Sequence, residues 1–442
     1  MAHAPSPFPL DRPVPGGGYW PSHWPVECGG NRRQKSAVGR LDAADGESTV
    51  TTRSTGRWDV MVVARDPGEW YVGGTMPAFS GPSPHGWVER FDPVSLEPIV
   101  RSPDLPCGDH VWCGAILAHA NGSIYSVNGS YLHRLAHDDL RVLAERPLVD
   151  CSHNGLLALA DGSLVTKDLR LEGQGNTTVT RFDPTALEPM GTPVRLPEGS
   201  MGRIAASLGA DGVERIWIPG TERLFVLRVD GAQLVVEDVA VRYREAGGSQ
   251  GLAWDACLSG DAVWLMDCGD VPSVRHIHST FPNGRFVDPP PLSWRQSPAW
   301  TGPQRILRIR AGVVDDIAPF GTPGGGIIAP PVAIPERDVA IAWDSVNGGL
   351  AGIDTAAALD VRWQLDVRPS MQPVVFPESG ELVINDFRDG VDWLVVVDVD
   401  TGRLLDRVDT GSRIANGMFL TAGVARDVYY CSTLTLARVQ WR

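Results

Sequence analysis

Lysine is almost missing from this 442-residue chain: of 39 basic residues only Lys35 and Lys167 are lysines. A surface that uses arginine elsewhere needs no lysine, so a lysine between two strand ends is a candidate for its compact ammonium. No Cys-x-x-Cys pair occurs among the seven cysteines. That excludes a zinc ribbon and leaves scattered, free thiols as the expectation. No apolar run approaches the ~18 residues of a spanning helix. The opening residues, MAHAPSPFPLDRP, have neither a cationic start nor an apolar stretch, so no secretory signal is read and a cytoplasmic location is expected. Long helical periodicity is absent as well, which leaves an almost all-β chain. A surplus of positive charge is also lacking. The formal net charge of -14 argues against nucleic acid or an anionic membrane as partner, and a small-molecule substrate is expected instead.

What the chain does have is a repeat. Ser152–Asp168 reads as an apolar strand, an Asp161-Gly162 turn and a second strand, with polar residues gathered at the open end. From Trp58 onward this layout recurs, each time followed by a third strand, a turn and a fourth strand. The pieces Arg90–Pro98 (RFDPVSLEP) and Arg181–Pro189 (RFDPTALEP) echo each other and read as turns between third and fourth strands. Third strands are expected near Arg90, His133, Arg181, Phe225, Ile306, Leu350, Leu394 and Leu436. Four-stranded units at this period are propeller blades, seven or eight of them. The last unit has only three strands of its own, so Ser48–Ser54 is expected to supply the fourth and close the ring between the chain's two ends. Residues 1–47 read as an irregular Pro/Gly-rich arm, partly packed through Tyr19, Trp20 and Trp24, and 48–442 as one propeller domain. A long loop at about 271–304 is inserted between a second and a third strand, and it carries His276 and His278. Trp70, Trp217, Trp264 and Trp343 stand at comparable places and are expected to fill the layers between blades.

In such a ring the starts of first strands and the ends of second strands share one face of the central channel. First-strand starts supply His110, His153, Asn154, Arg203, Gln250, Gln372 and Asn416; second-strand ends supply Lys167, Asp168, Asn385 and Asp386. Imidazoles, carboxylates, amides and a lysine aimed at one axis suit either an oxygen-liganded cation or a general acid/base site.

The hairpin Asn154-Gly155, Asp161-Gly162, Thr166-Lys167-Asp168 resembles the pattern of the gluconolactonase, senescence-marker and strictosidine-synthase group of propellers. The resemblance implies a divalent metal such as Ca²⁺, with Asn154 and Asp168 or Asp386 as ligands, polarising a lactone or ester carbonyl. Pairing of Lys167 with Asp168 is the alternative to a metal there. A second stretch, Val396–Leu404, is similar to turns of eight-bladed quinoprotein-like propellers and supports a blade. The expected function is therefore a propeller enzyme acting on a small organic molecule: hydrolysis of a lactone or ester, or a condensation, isomerisation or cyclisation. His153 or His110 would be the base, Arg203 with Lys167 an anion clamp, and Gln250, Gln372, Asn385 and Asn416 would contact the substrate. A non-enzymatic scaffold binding protein or peptide is the alternative.

Overall fold

Hydrogen-bonded β-strands account for almost all the regular structure. A computed structural model describes residues 6–11, 17–76, 83–170, 173–245, 250–269, 302–322, 325–326, 329–414 and 419–442. Among them the only helical pieces are three-residue 3₁₀ turns, at Glu27–Gly29, Ala43–Asp45 and Pro335–Arg337. The strands form seven antiparallel sheets. Six of these are blades in chain order, each running outward from the strand that lines the channel. They begin with Cys113–Ala118, His153–Ala158, Ala205–Leu208, Cys257–Ser259, Val332–Ile334 and Val374–Phe376.

The seventh sheet joins the two ends of the chain and carries two blades. Strand Ser48–Arg65 divides its length: Trp58 to Arg65 pairs with Glu69–Met76, while Ser48 to Ser54 pairs with Trp441 to Thr435. Asp427–Trp441 is itself folded back at Leu434, whose φ is +68°. Trp441 N–H donates to Arg426 O, and Arg438 Nε to Asp427 Oδ2. Leu420–Ala422, the two arms of that hairpin and Ser48–Ser54 therefore make an eighth four-stranded blade. The closure expected from the sequence is observed, and each of the eight anticipated third strands contains its marker residue. Trp70, Trp264 and Trp343 are buried between blades; Trp217 is partly buried and meets Phe8 edge-on.

The described residues of the segment before Ser48 hold only short 3₁₀ turns and isolated bridges, and they floor the channel. Their backbone or side chains bond on or beside the innermost strand of every blade. Trp24 O accepts Ala64 N–H, and Pro25 O accepts Ala118 N–H. Asn31 Nδ2 donates to Ala158 O, and Asn31 O accepts Ala206 N–H. Arg32 O accepts Leu258 N–H, and Lys35 Nζ donates to Pro331 O just before the sixth blade. Lys35 O accepts Val375 N–H, and His23 Nε2 lies 3.1 Å from Ala422 O. These bonds satisfy backbone groups that a ring of open strand ends would otherwise leave unpaired.

Candidate functional site at the channel mouth

The arm delivers charge as well as backbone to the axis. Glu27 and Arg33 rise from the floor and meet Arg203 and Asp255 from the fourth and fifth blades. Arg33 Nη1 donates to Glu27 Oε1 at 2.6 Å, and its Nη2 to Asp255 Oδ2 at 3.1 Å. Arg203 Nε stands 3.1 Å from Glu27 Oε2. All four side chains are buried. Two guanidiniums against two carboxylates leave the group neutral, as burial demands.

Arg203 is the upper member of this group. Its guanidinium lies 4.8 Å from the centre of the Phe419 ring and 5.8 Å from that of Trp112. Trp112 Nε1 donates to Asn154 Oδ1 at 3.2 Å, and Asn154 Nδ2 donates to Met201 O at 2.8 Å. Gly155 follows with φ +80°, and its Cα packs against the Arg203 stem. Gln372 reaches the same axis, where its Oε1 accepts the Cys28 thiol at 3.1 Å. Four buried donors there have no hydrogen-bond partner: Arg33 Nε, Arg203 Nε, which keeps only its ion-pair contact with Glu27, Arg203 Nη2 and Gln372 Nε2. Because Glu27 and Cys28 are consecutive, Arg203 and Gln372 end against neighbouring points of the same floor.

Lys167, on the second strand of the third blade, and His153, at the start of its first strand, are both buried. Lys167 Nζ donates to Ser200 O at 2.9 Å and to Asp168 O at 3.4 Å. Burial pushes its pKa down to about 7, against the opposing pull of Asp168. Burial likewise pushes His153 down to about 4, and its Nδ1 faces Cys151 O at 3.0 Å.

The remaining anticipated residues are placed differently. His110 is partly exposed at the rim, where its Nε2 is 2.9 Å from Asp150. Gln250 Nε2 donates to Cys268 O and Pro303 O. Asn385 Oδ1 caps Ser370 and Met371 N–H while its Nδ2 donates to Asp392. Asn416 and the insertion with His276 and His278 lie outside the described residues.

The three anticipated metal ligands do not fit a cation. Asp168 gives one oxygen to Arg170 and the other to Thr178 N–H. Asp386 takes Arg388 Nε and Arg368 N–H, with Arg407 also near. Asn154 has its carbonyl on Trp112. Among the described residues no three His, Cys, Asp or Glu side chains converge. The physical reason is that arginines already supply the counter-charge, and a dication beside them would be repelled. The Lys167–Asp168 alternative is met only through the backbone carbonyl.

Glu27, Arg33, Asp255 and Trp112 are the residues that sequence reasoning missed. The one signal for them is the basic run Arg32–Lys35, which holds one of the chain's two lysines. All seven cysteines are free thiols, six of them buried.

No protein-family model and no curated protein matches the sequence. Solved structures do match in shape. A europium-containing methanol dehydrogenase superimposes with a TM-score of 0.59 at 11% identity, over 96% of this chain and 98% of that one. The Dos1 propeller gives 0.57 at 9%, over 88% and 94%. At such identities the likeness shows the propeller fold alone. No helix in the described residues is long and apolar enough to cross a membrane.

Proposed function

We propose that the chain is a propeller enzyme acting on a small carbonyl compound at the upper mouth of its channel, by a lactone- or ester-opening step or a related acid/base reaction. The observation that carries this reading is the pair of buried, unpartnered donors Arg203 Nη2 and Gln372 Nε2. An unsatisfied buried donor costs about 1–3 kcal/mol. A developing oxyanion is stabilised by donors that packing already holds fixed. The neutral Glu27–Arg33–Asp255–Arg203 group favours an uncharged carbonyl over a free anion there. Trp112, partly exposed, and Phe419 supply an apolar cover. Lys167, titrating near 7, is the base in this reading, with His153 beside it. The base takes a proton from water, the water oxygen bonds to the carbonyl carbon, and the ester C–O bond breaks as the proton passes to the leaving oxygen. No metal is part of the step.

The test is turnover of a panel of neutral lactones and esters by the full chain. Gln372→Met is expected to lower turnover about a hundredfold with an unchanged melting temperature. Absence of both turnover and binding across the panel overturns the reading. The second reading, a scaffold that binds protein or peptide, is favoured by the floor, because one segment ties all eight blades together. That scaffold reading then stands.

A further inference from the structure

A separate cleft opens on the floor side, between the arm and the third and fourth blades, with a volume of about 240 Å³. Tyr19, Asn31 and Arg32 of the arm form one wall; Ala160, Leu208 and Glu214 form the other. The arm wall is braced, since Tyr19 donates to Asn31 Oδ1 and accepts Ala158 N–H at 3.2 Å. Arg32 is committed to Asp11 at 2.9 Å and to Ser207 Oγ at 3.0 Å. Glu214 is not committed in this way. It is 8% exposed, accepts one backbone bond from Ala160 N–H at 2.8 Å, and makes no ion pair among the described residues. Behind it Asp161 and Arg181 bond to each other.

We propose that this cleft is a second small-molecule site, which takes a compact primary amine with its ammonium on Glu214 and its alkyl part against Ala160 and Leu208. An ammonium supplies the missing counter-charge to Glu214. The volume is below that of drug-sized pockets, which restricts the ligand to a few heavy atoms. Burial lifts the Glu214 carboxyl to about 7, with Asp161 adding to the rise and Arg181 opposing it. Asp11, Arg32 and Tyr19 are the ionisable groups that face it from the arm. A protonated amine binds the ionised carboxylate, so affinity climbs as pH rises through that midpoint.

The experiment uses the full chain and three probes of equal length, n-butylamine, n-butanol and butyrate, titrated calorimetrically at about pH 8, above the Glu214 midpoint near 7. n-Butylamine is expected to bind, and the alcohol and acid are not. Glu214→Gln keeps a carbonyl for Ala160 N–H and is expected to weaken amine binding about tenfold or more. Leu208→Trp, at an exposed position, is expected to block the cleft while leaving Glu214 in place. No heat with n-butylamine, equal binding of n-butanol, or unchanged affinity in Glu214→Gln overturns the proposal.

Discussion

The chain's two lysines are both buried, and both spend their ammonium on backbone carbonyls. Their rarity made them legible in the sequence. Their turn into the interior was not, because composition says nothing about which way a side chain turns. Lys167 also makes a pH prediction. Its folded pKa is below the unfolded value, so the folded chain binds fewer protons than the unfolded one between about 7 and about 10. Stability therefore rises with pH across that window. In Lys167→Met this rise, on the order of a few kcal/mol, is expected to vanish in denaturant melts taken at several pH values. An identical pH profile in the variant would place the lysine in solvent. Asn385 and Asp386 show the limit of reading strand ends. Adjacent strand residues point to opposite faces, and here both side chains cap backbone N–H groups instead of facing the axis.

At the level of elements the most legible feature was the repeated Asp-Pro-x-x-Leu turn. In both copies the aspartate caps the next two free N–H groups: Asp92 bonds Val94 and Ser95, and Asp183 bonds Thr185 and Ala186. The leucine then adopts a left-handed backbone, with φ +63° at Leu96 and +59° at Leu187, and Leu140 does the same in the second blade. A left-handed leucine costs about 1–2 kcal/mol. Each of the three is fully buried, and that burial contributes about 1.5–3 kcal/mol, enough to offset the strain. Leu187→Ala removes the anchor and keeps the strain, so a loss of about 2–5 kcal/mol is expected in chemical denaturation. Leu187→Gly is expected to lose less than its smaller side chain suggests, since glycine accepts the backbone angle. A glycine variant weaker than the alanine one would refute the strain argument. The blade count was harder to read, because two blades share one sheet and a lone glycine, Gly56 with φ +66°, marks the division at Thr55–Arg57.

For the whole molecule the decisive feature is the floor. Its eight-way attachment was hidden from sequence reasoning because irregular segments lack periodicity, whatever they touch. Removing residues 1–46 takes Glu27 from Arg203 and Arg33 from Asp255, and breaking such a buried pair alone costs about 3–5 kcal/mol. The truncated chain is expected to show no cooperative melting transition by calorimetry. A melt like that of the full chain would mean that the ring holds itself shut. The floor also bears on how the protein is made. The arm and Ser48–Ser54 leave the ribosome before the blades that follow them, yet their partners include Leu420–Ala422 and Asp427–Trp441, which leave it after the other seven blades. A growing nascent chain must therefore hold Ser48–Ser54 without its strand partner until Thr435–Trp441 has been made.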